Sequence, residues 1–157
     1  MLAYVDADHA TDSVTRRSRT GFLVYLNNAP IYWLSKKQNS VETSSFGSEF
    51  CAMKQCTEYI RGGLRYKLRM MGIPCDEPTW IFGDNQSVLW NTTCPDSVLK
   101  KKSNSIAYHF VREGCARNEW RTAYINTHKN VADLLTKLFL PAGEKRMSFV
   151  RMILHHL

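Results

Sequence analysis

No apolar run in this 157-residue chain approaches the ~18 residues that a membrane-spanning helix needs. The first residues, Met1-Leu2-Ala3-Tyr4-Val5-Asp6, carry no basic stretch and reach an acid too early for a secretory leader. Cysteine is sparse and odd in number. Cys51, Cys56, Cys75, Cys94 and Cys115 contain no Cys-x-x-Cys pair, so neither a zinc knuckle nor a disulfide framework is indicated. Free thiols in a reducing compartment are expected. With only 8 glycines and 5 prolines, the chain is neither collagen-like nor low in complexity. The Gly62-Gly63 pair falls inside a helical pattern, which leaves no glycine-rich loop to cradle a phosphate. No serine sits in a nucleophile elbow. Acids are scarce in one half only: residues 97–157 hold eleven Lys/Arg and four Asp/Glu, whereas residues 1–96 hold ten of each. The net charge of +7 therefore lies in the C-terminal part. Such a basic half points to a polyanionic partner, nucleic acid ahead of an anionic membrane surface.

What is present is enough apolar material for one core. The hydrophobic fraction is 44% and the aromatic fraction 11%, which excludes a disordered chain. One domain over residues 1–157 is expected, with 141–157 as a C-terminal helix or tail. Residues 2–7 read as a short strand ending in acids. After a polar, arginine-rich loop, Gly21 to Leu26 is a second strand. Asn27-Asn28 is a hairpin turn, because Asn tolerates positive φ. Pro30 to Leu34 is the return strand, which completes an antiparallel meander. The period then changes. Phe50, Met53, Thr57, Ile60, Leu64, Leu68 and Met71 fall three and four apart and predict one face of a long helix. Ser44 or Ser45 would cap it and Gly72 would end it. Pro78 to Phe82 is a fourth strand, followed by a short helix over 85–91. Residues 97–118 read as helical, Trp120 to Asn126 as a fifth strand, Asn130 to Leu138 as helical, and Pro141 opens the last helix.

Four acids sit at the ends of separate elements. Asp6 ends the first strand, Glu49 lies in the first turns of the long helix, Asp84 ends the fourth strand, and Asp133 follows the fifth. Hard divalent cations prefer oxygen ligands, so carboxylates converging from different elements are what such a metal site needs. Two cations about 3.5–4 Å apart would clamp the attacking and leaving oxygens of a phosphodiester. Spacing alone also allows each acid to be a helix cap. Glu49 borders the apolar stripe at Ala52 and Met53, so it points toward the sheet. Asp133 lies nearly opposite the apolar face of Val131, Leu134, Leu135 and Leu138, which reads as a solvated acid at a helix N-terminus.

Seven segments in order give the chain a family likeness. They are Tyr4-Val5-Asp6-Ala7-Asp8, Arg16-Arg17-Ser18-Arg19-Thr20-Gly21, Trp33-Leu34-Ser35-Lys36-Lys37-Gln38 and Val41-Glu42-Thr43-Ser44-Ser45-Phe46-Gly47-Ser48-Glu49-Phe50. The remaining three are Asp84-Asn85-Gln86-Ser87, Tyr108-His109-Phe110-Val111-Arg112-Glu113 and Ala132-Asp133-Leu134-Leu135-Thr136-Lys137. In these the chain resembles the ribonuclease H domain of copia-type retrotransposon polyproteins, from residue 2 to about residue 141. The resemblance implies an α/β ribonuclease H-like fold, a five-stranded mixed sheet of three antiparallel and then two parallel strands flanked by helices. It implies that Asp6, Glu49, Asp84 and Asp133 hold two Mg²⁺ ions, with Mn²⁺ as a substitute. It also implies cleavage of the RNA strand of an RNA–DNA hybrid, with a reverse transcriptase upstream in the polyprotein. The setting would be intracellular, in cytoplasmic virus-like particles or the nucleus, with no membrane partner. Asn85 and Ser87 would orient the turn and the helix cap. Two stretches depart from the pattern. Ser103-Asn104-Ser105 stands where the family usually has His-Ile-Asp, and Ser44 to Phe50 replaces Ser-Ser-Thr-Glu-Ala-Glu-Tyr while keeping its second Glu as Glu49.

Ribonucleases of this fold often carry a histidine in the loop where His128 stands, for proton transfer or product release. An ordinary loop histidine is the competing reading. His109, between Tyr108 and Phe110, reads as packed. Arg16, Arg17, Lys36, Lys37, Lys100, Lys101 and Lys102 are candidates for gripping phosphates. Gln38, Ser45, Asn85 and Gln86 are candidates for reading the 2′-hydroxyl of a hybrid. A non-catalytic nucleic-acid-binding or scaffold module of the same fold remains the alternative, and another nuclease of this fold is the third reading.

Overall fold

A computed structural model describes residues 1–99, 104–137 and 143–154. Its strands are β1 (Leu2–Asp8), β2 (Arg19–Leu26), β3 (Ala29–Lys37), β4 (Thr79–Gly83) and β5 (Trp120–Tyr124). They form one five-stranded sheet in the order β3-β2-β1-β4-β5. The β1–β2 and β2–β3 pairs are antiparallel, while β1–β4 and β4–β5 are parallel. The meander closes as its turn chemistry demands, with Asn27 at φ +54° between β2 and β3. The parallel strands need crossovers, and helices supply them.

The long apolar stripe becomes three consecutive helical segments: α1 (Ser45–Glu58), a π-helical stretch Tyr59–Arg65 and α2 (Tyr66–Met70). Ser44 is the cap, accepting from the Gly47 amide at 3.2 Å, and Gly72 stops the helix at φ +75°. Phe50, Met53, Cys56 and Ile60 press on Ala3, Val5, Phe22, Val24 and Ile81 of the sheet, and Val111 and Trp120 join this core. Met71, expected on the stripe, is exposed, because the helix ends there. The wide π turn has a clear anchor. The buried Arg65 donates to Glu77 O at 2.9 Å and to Thr79 Oγ1 and Glu119 O at 3.3 Å, so it ties the helix to the entries of β4 and β5.

The sheet's other face carries a second cluster, where Leu23 and Tyr25 meet Val131 and Phe149, with Leu134, Leu135 and Ile153 beside them. These come from α5 (Asp133–Thr136) and α6 (Glu144–Leu154) and the turn before α5. Both faces of β2 are thus covered, which matches its unbroken apolar run. The remaining helices are α3 (Gln86–Thr93) and α4 (Ser105–Ala116).

Among the described residues, two expected helices are shorter than their sequences suggest. Of 97–118, the described residues are α-helical over Ser105–Ala116 alone. Before it, Arg112 donates to Cys94 O at 3.1 Å, to Pro95 O at 2.8 Å and to the Tyr108 hydroxyl, and so ties the irregular loop 94–97 to α4. Of 130–138, only Asp133–Thr136 is helical within the described residues. Asn130 fixes the approach instead, donating to Val5 O at 3.0 Å and accepting from the Ala132 amide at 3.2 Å.

Candidate metal and nucleic-acid site

Register places the first two acids. Tyr4 pairs with Phe82 across the parallel β1–β4 ladder. Two residues further on, past the last paired residues of that ladder, Asp6 and Asp84 therefore stand at the carboxyl ends of adjacent parallel strands. Asn85 then caps α3, its side chain accepting from the Val88 amide at 3.2 Å, so Asp84 is held between a strand end and a helix start.

The third acid arrives from the far end of the chain, and a glycine admits it. Asp6 faces Gly21 across the β1–β2 ladder. A Cβ on Gly21 would lie 2.6 Å from Thr136 Cγ2, 2.9 Å from Leu135 Cβ and 3.1 Å from Ala132 O. The missing side chain lets α5 lie directly on the sheet. Asp133 and Thr136 thereby reach Asp6, and the Thr136 hydroxyl donates to Asp6 Oδ2. Carboxylate oxygens of Asp6, Asp84 and Asp133 all lie within 4.8 Å of one another.

Asp133 is 1% exposed. That corrects the solvated reading drawn from helical periodicity, which fails because α5 is a single turn pinned at both ends. Its Oδ2 accepts from Lys137 Nζ at 2.8 Å and Lys145 Nζ at 2.7 Å. Loss of hydration works against the Lys137 ammonium, yet its bond to Asp133, with Asp6 and Asp8 nearby, holds its pKa above the ordinary value.

Glu49 stands in α1, outside that triangle of oxygens but within its field. Its carboxyl is pushed up to about 9, first by burial and then by the charges of Asp6 and Asp84. Burial likewise pushes Asp6 up to about 7; the Thr136 hydroxyl opposes this, while Asp133 and Asp84 add to it. Such shifts are what crowded carboxylates show when positive charge is in short supply. An all-oxygen donor set with this deficit fits a hard divalent cation.

The other candidates fall into three groups. Arg16, Arg17, Lys36, Lys37, Ser45 and Gln86 are exposed. Arg19 pairs with Lys37 and Thr20 with Lys36 in the β2–β3 ladder, and Arg19 also faces Asp8, so two of the basic groups gather at the acid-bearing end of the sheet. Asp12 organises that corner: it accepts from the Val14 and Thr15 amides at 3.1 and 2.6 Å and pairs with Lys37. His128 is exposed in a 3₁₀ turn, Thr127–Lys129, that leaves the carboxyl end of β5 at that same end. Gln38 is a correction. It is 1% exposed, and its amide donates to Thr20 Oγ1 at 3.0 Å and Ser48 O at 2.9 Å, joining β2 to α1 instead of facing substrate. His109 is exposed, not packed, because α4 turns its neighbours Tyr108 and Val111 inward. Lys100, Lys101 and Lys102 lie outside the described residues.

Sequence reasoning missed Gly21, Thr136, Lys137 and Lys145 as parts of the site. The first three lie within quoted family segments, but nothing in their spacing assigns them a job. Lys145 carries no sequence signal.

No family model matches the chain. It is 33% identical over 135 residues to a retrovirus-related Pol polyprotein from the transposon RE2 of Arabidopsis thaliana, which covers 86% of the chain and 9% of the polyprotein. The chain therefore spans about a tenth of the length of its polyprotein relatives. In fold it is similar to a ribonuclease H1 isolated from compost by a metagenomic approach, with TM-score 0.64, 12% identity, and 86% and 91% of the two chains covered. A structure of that compost enzyme in complex with an RNA/DNA hybrid aligns with TM-score 0.64 and 14% identity, covering 86% and 92%.

Proposed function

From the premise that this chain is a homologue of transposon Pol polyproteins with a ribonuclease H fold, we propose that it is a copia-type ribonuclease H domain cutting the RNA strand of RNA–DNA hybrids. The observation that carries this is the convergence of Asp6, Asp84 and Asp133 at the carboxyl ends of adjacent parallel strands. In open α/β sheets that is where ligands bind. Asp6, Glu49 and Asp84 would hold two Mg²⁺ ions, or Mn²⁺ in their place, and Asp133 would support one of them. When bound, those ions supply an activated water and stabilise the charge on the phosphate in an in-line displacement that leaves a 5′-phosphate and a 3′-hydroxyl.

The chain's own residues do the rest. Thr136 keeps Asp6 oriented through its hydroxyl. Asn85 fixes the turn that carries Asp84. Arg16, Arg17, Lys36 and Lys37, beside the acids, grip the phosphate backbone and position it without reading sequence. Ser45 and Gln86, exposed at the starts of α1 and α3, are suited to contact the 2′-hydroxyls of the RNA strand. His128 sits in the loop at the same end and moves a proton to the product or frees it. The likeness to Pol polyproteins supports a reverse transcriptase as covalent neighbour, and the activity would belong to the intracellular copying of a retrotransposon.

A labelled RNA–DNA hybrid, duplex DNA and duplex RNA, each incubated in Mg²⁺ and in excess chelator, test this reading. Cutting of the hybrid's RNA strand alone, dependent on metal and reduced by a hundredfold or more in Asp84→Asn, is expected. Hybrid bound but uncut under every condition would instead mark a scaffold module.

A further inference from the structure

We propose that Lys145 is a tethered cation that competes with a divalent metal ion for Asp133, so that metal binding releases the start of α6. This rests on the metal-site reading above and concerns its regulation. Positive charge in the site is unevenly spread. Two ammonium groups converge on one oxygen, Asp133 Oδ2, at 2.7 and 2.8 Å. Among the described residues neither Asp6 nor Asp84 has an ammonium partner: Asp6 takes the Thr136 hydroxyl and a side-chain hydrogen bond with Asp133 itself. A carboxylate oxygen offers about two lone-pair directions, so Oδ2 is saturated. A metal ion drawing on that oxygen must evict a lysine.

Of the two, Lys145 is the one free to leave. Lys137 lies one turn after Asp133 on the same short segment, and its ammonium also feels Asp6 and Asp8. Lys145 belongs to another helix and is about one-third exposed, 34%. While paired with Asp133 its ammonium also lies 5.4 Å from the centre of the Phe149 ring on its own helix, so a second partner for its charge is already in place. Phe149, fully buried in the second core cluster, keeps the middle of α6 anchored throughout. The mobile part is then confined to the turn around Lys145. Competition of this kind lowers the apparent affinity for the metal by the fraction of time the oxygen is free.

The test has two independent readouts on the intact chain. Calorimetric titration with Mg²⁺ compares the wild type with Lys145→Met, which keeps the stem over Phe149 and removes the charge. Backbone hydrogen exchange follows α6 in the wild type with and without Mg²⁺, and needs no variant to fold. The variant is expected to bind Mg²⁺ about tenfold more tightly, as an oxygen free roughly one-tenth of the time requires. In the wild type Mg²⁺ is expected to speed exchange several-fold at the amides of residues 148–150, because these bond back to the carbonyls of the turn around Lys145, against the usual protective effect of a ligand. In Lys145→Met it should leave those residues unchanged. Equal or weaker Mg²⁺ affinity in the variant, or slower α6 exchange in the metal-bound wild type, overturns the competition while leaving the metal site standing. A wild type that binds no Mg²⁺ at millimolar concentration overturns both.

Discussion

Asp6 and Glu49 hold protons that free carboxylic acids would have lost, and this has a measurable consequence. Their pKa values are raised to about 7 and about 9 by burial and by the neighbouring acids. The folded, metal-free protein therefore binds more protons than the unfolded chain between roughly pH 4 and those values. Stability from these two groups is fully present below about pH 4 and is lost as pH rises through 7 and then 9. In chelator, the melting temperature should fall by roughly 5 °C or more between pH 5 and pH 9. Saturating Mg²⁺ should flatten that slope, because a bound cation favours the charged carboxylates in the folded state only. Thermal melts across this range, with and without metal, decide it. A metal-free melting temperature that is level or rising would mean that the acids are not crowded in solution.

The site exists because a one-turn helix lies flat on the sheet. α5 has too few residues to be stable by itself, so it is held by its contacts with Gly21, Asn130 and Asp6. Gly21→Ala places a methyl group against Thr136, Leu135 and the Ala132 carbonyl. Overpacking of this kind costs about 1–3 kcal/mol, or a drop of roughly 5 °C in melting temperature. The loss should be specific: Mg²⁺ should no longer raise the melting temperature, because Asp133 is pushed away from Asp6. Gly114→Ala is the matching control. Its new methyl would sit 1.9 Å from the Trp120 ring, far from the acids, and should destabilise while leaving the Mg²⁺ effect in place. Parallel melts of both variants with and without Mg²⁺ separate the cases. If Gly21→Ala keeps the full Mg²⁺ effect, α5 is not positioned by that glycine.

Across the whole molecule, charge is arranged with the acids at one end of the sheet and basic side chains beside them. The net +7 makes general affinity for nucleic acid an expected property, and salt should weaken it steeply. Replacing Arg17 and Lys36 together by Ala removes two exposed cations from the acid-bearing end. Each phosphate contact contributes about 0.9 to the salt slope on duplex DNA, so the slope should flatten by roughly one to two units. Preference for hybrid should remain, since phosphate contacts carry no sequence or sugar information. Binding titrations at several salt concentrations measure this. A slope equal to the wild type's would move the grip to the basic C-terminal part, including Lys100, Lys101 and Lys102.

The sequence by itself determined the element order and the sheet. The short strand run of β1, the unbroken apolar run of β2, Asn27 at the hairpin and the three-and-four spacing of α1 are local patterns, and a backbone must satisfy them wherever it folds. It also placed Asp6 and Asp84 at strand ends, which the parallel register then made neighbours. The ordered family segments pointed to Glu49 and Asp133 where spacing alone could not. Tertiary structure decided the rest. Thr136 and Asp6 are 130 residues apart, and no period in the chain links them. Gln38 looked like a surface amide until β2 and α1 closed over it. Asp133 looked solvated until α5 met the bare backbone of Gly21. Local pattern says which face of an element is apolar, but the partner that covers a polar side chain comes from distant sequence. Its arrival depends on the closure of the whole chain.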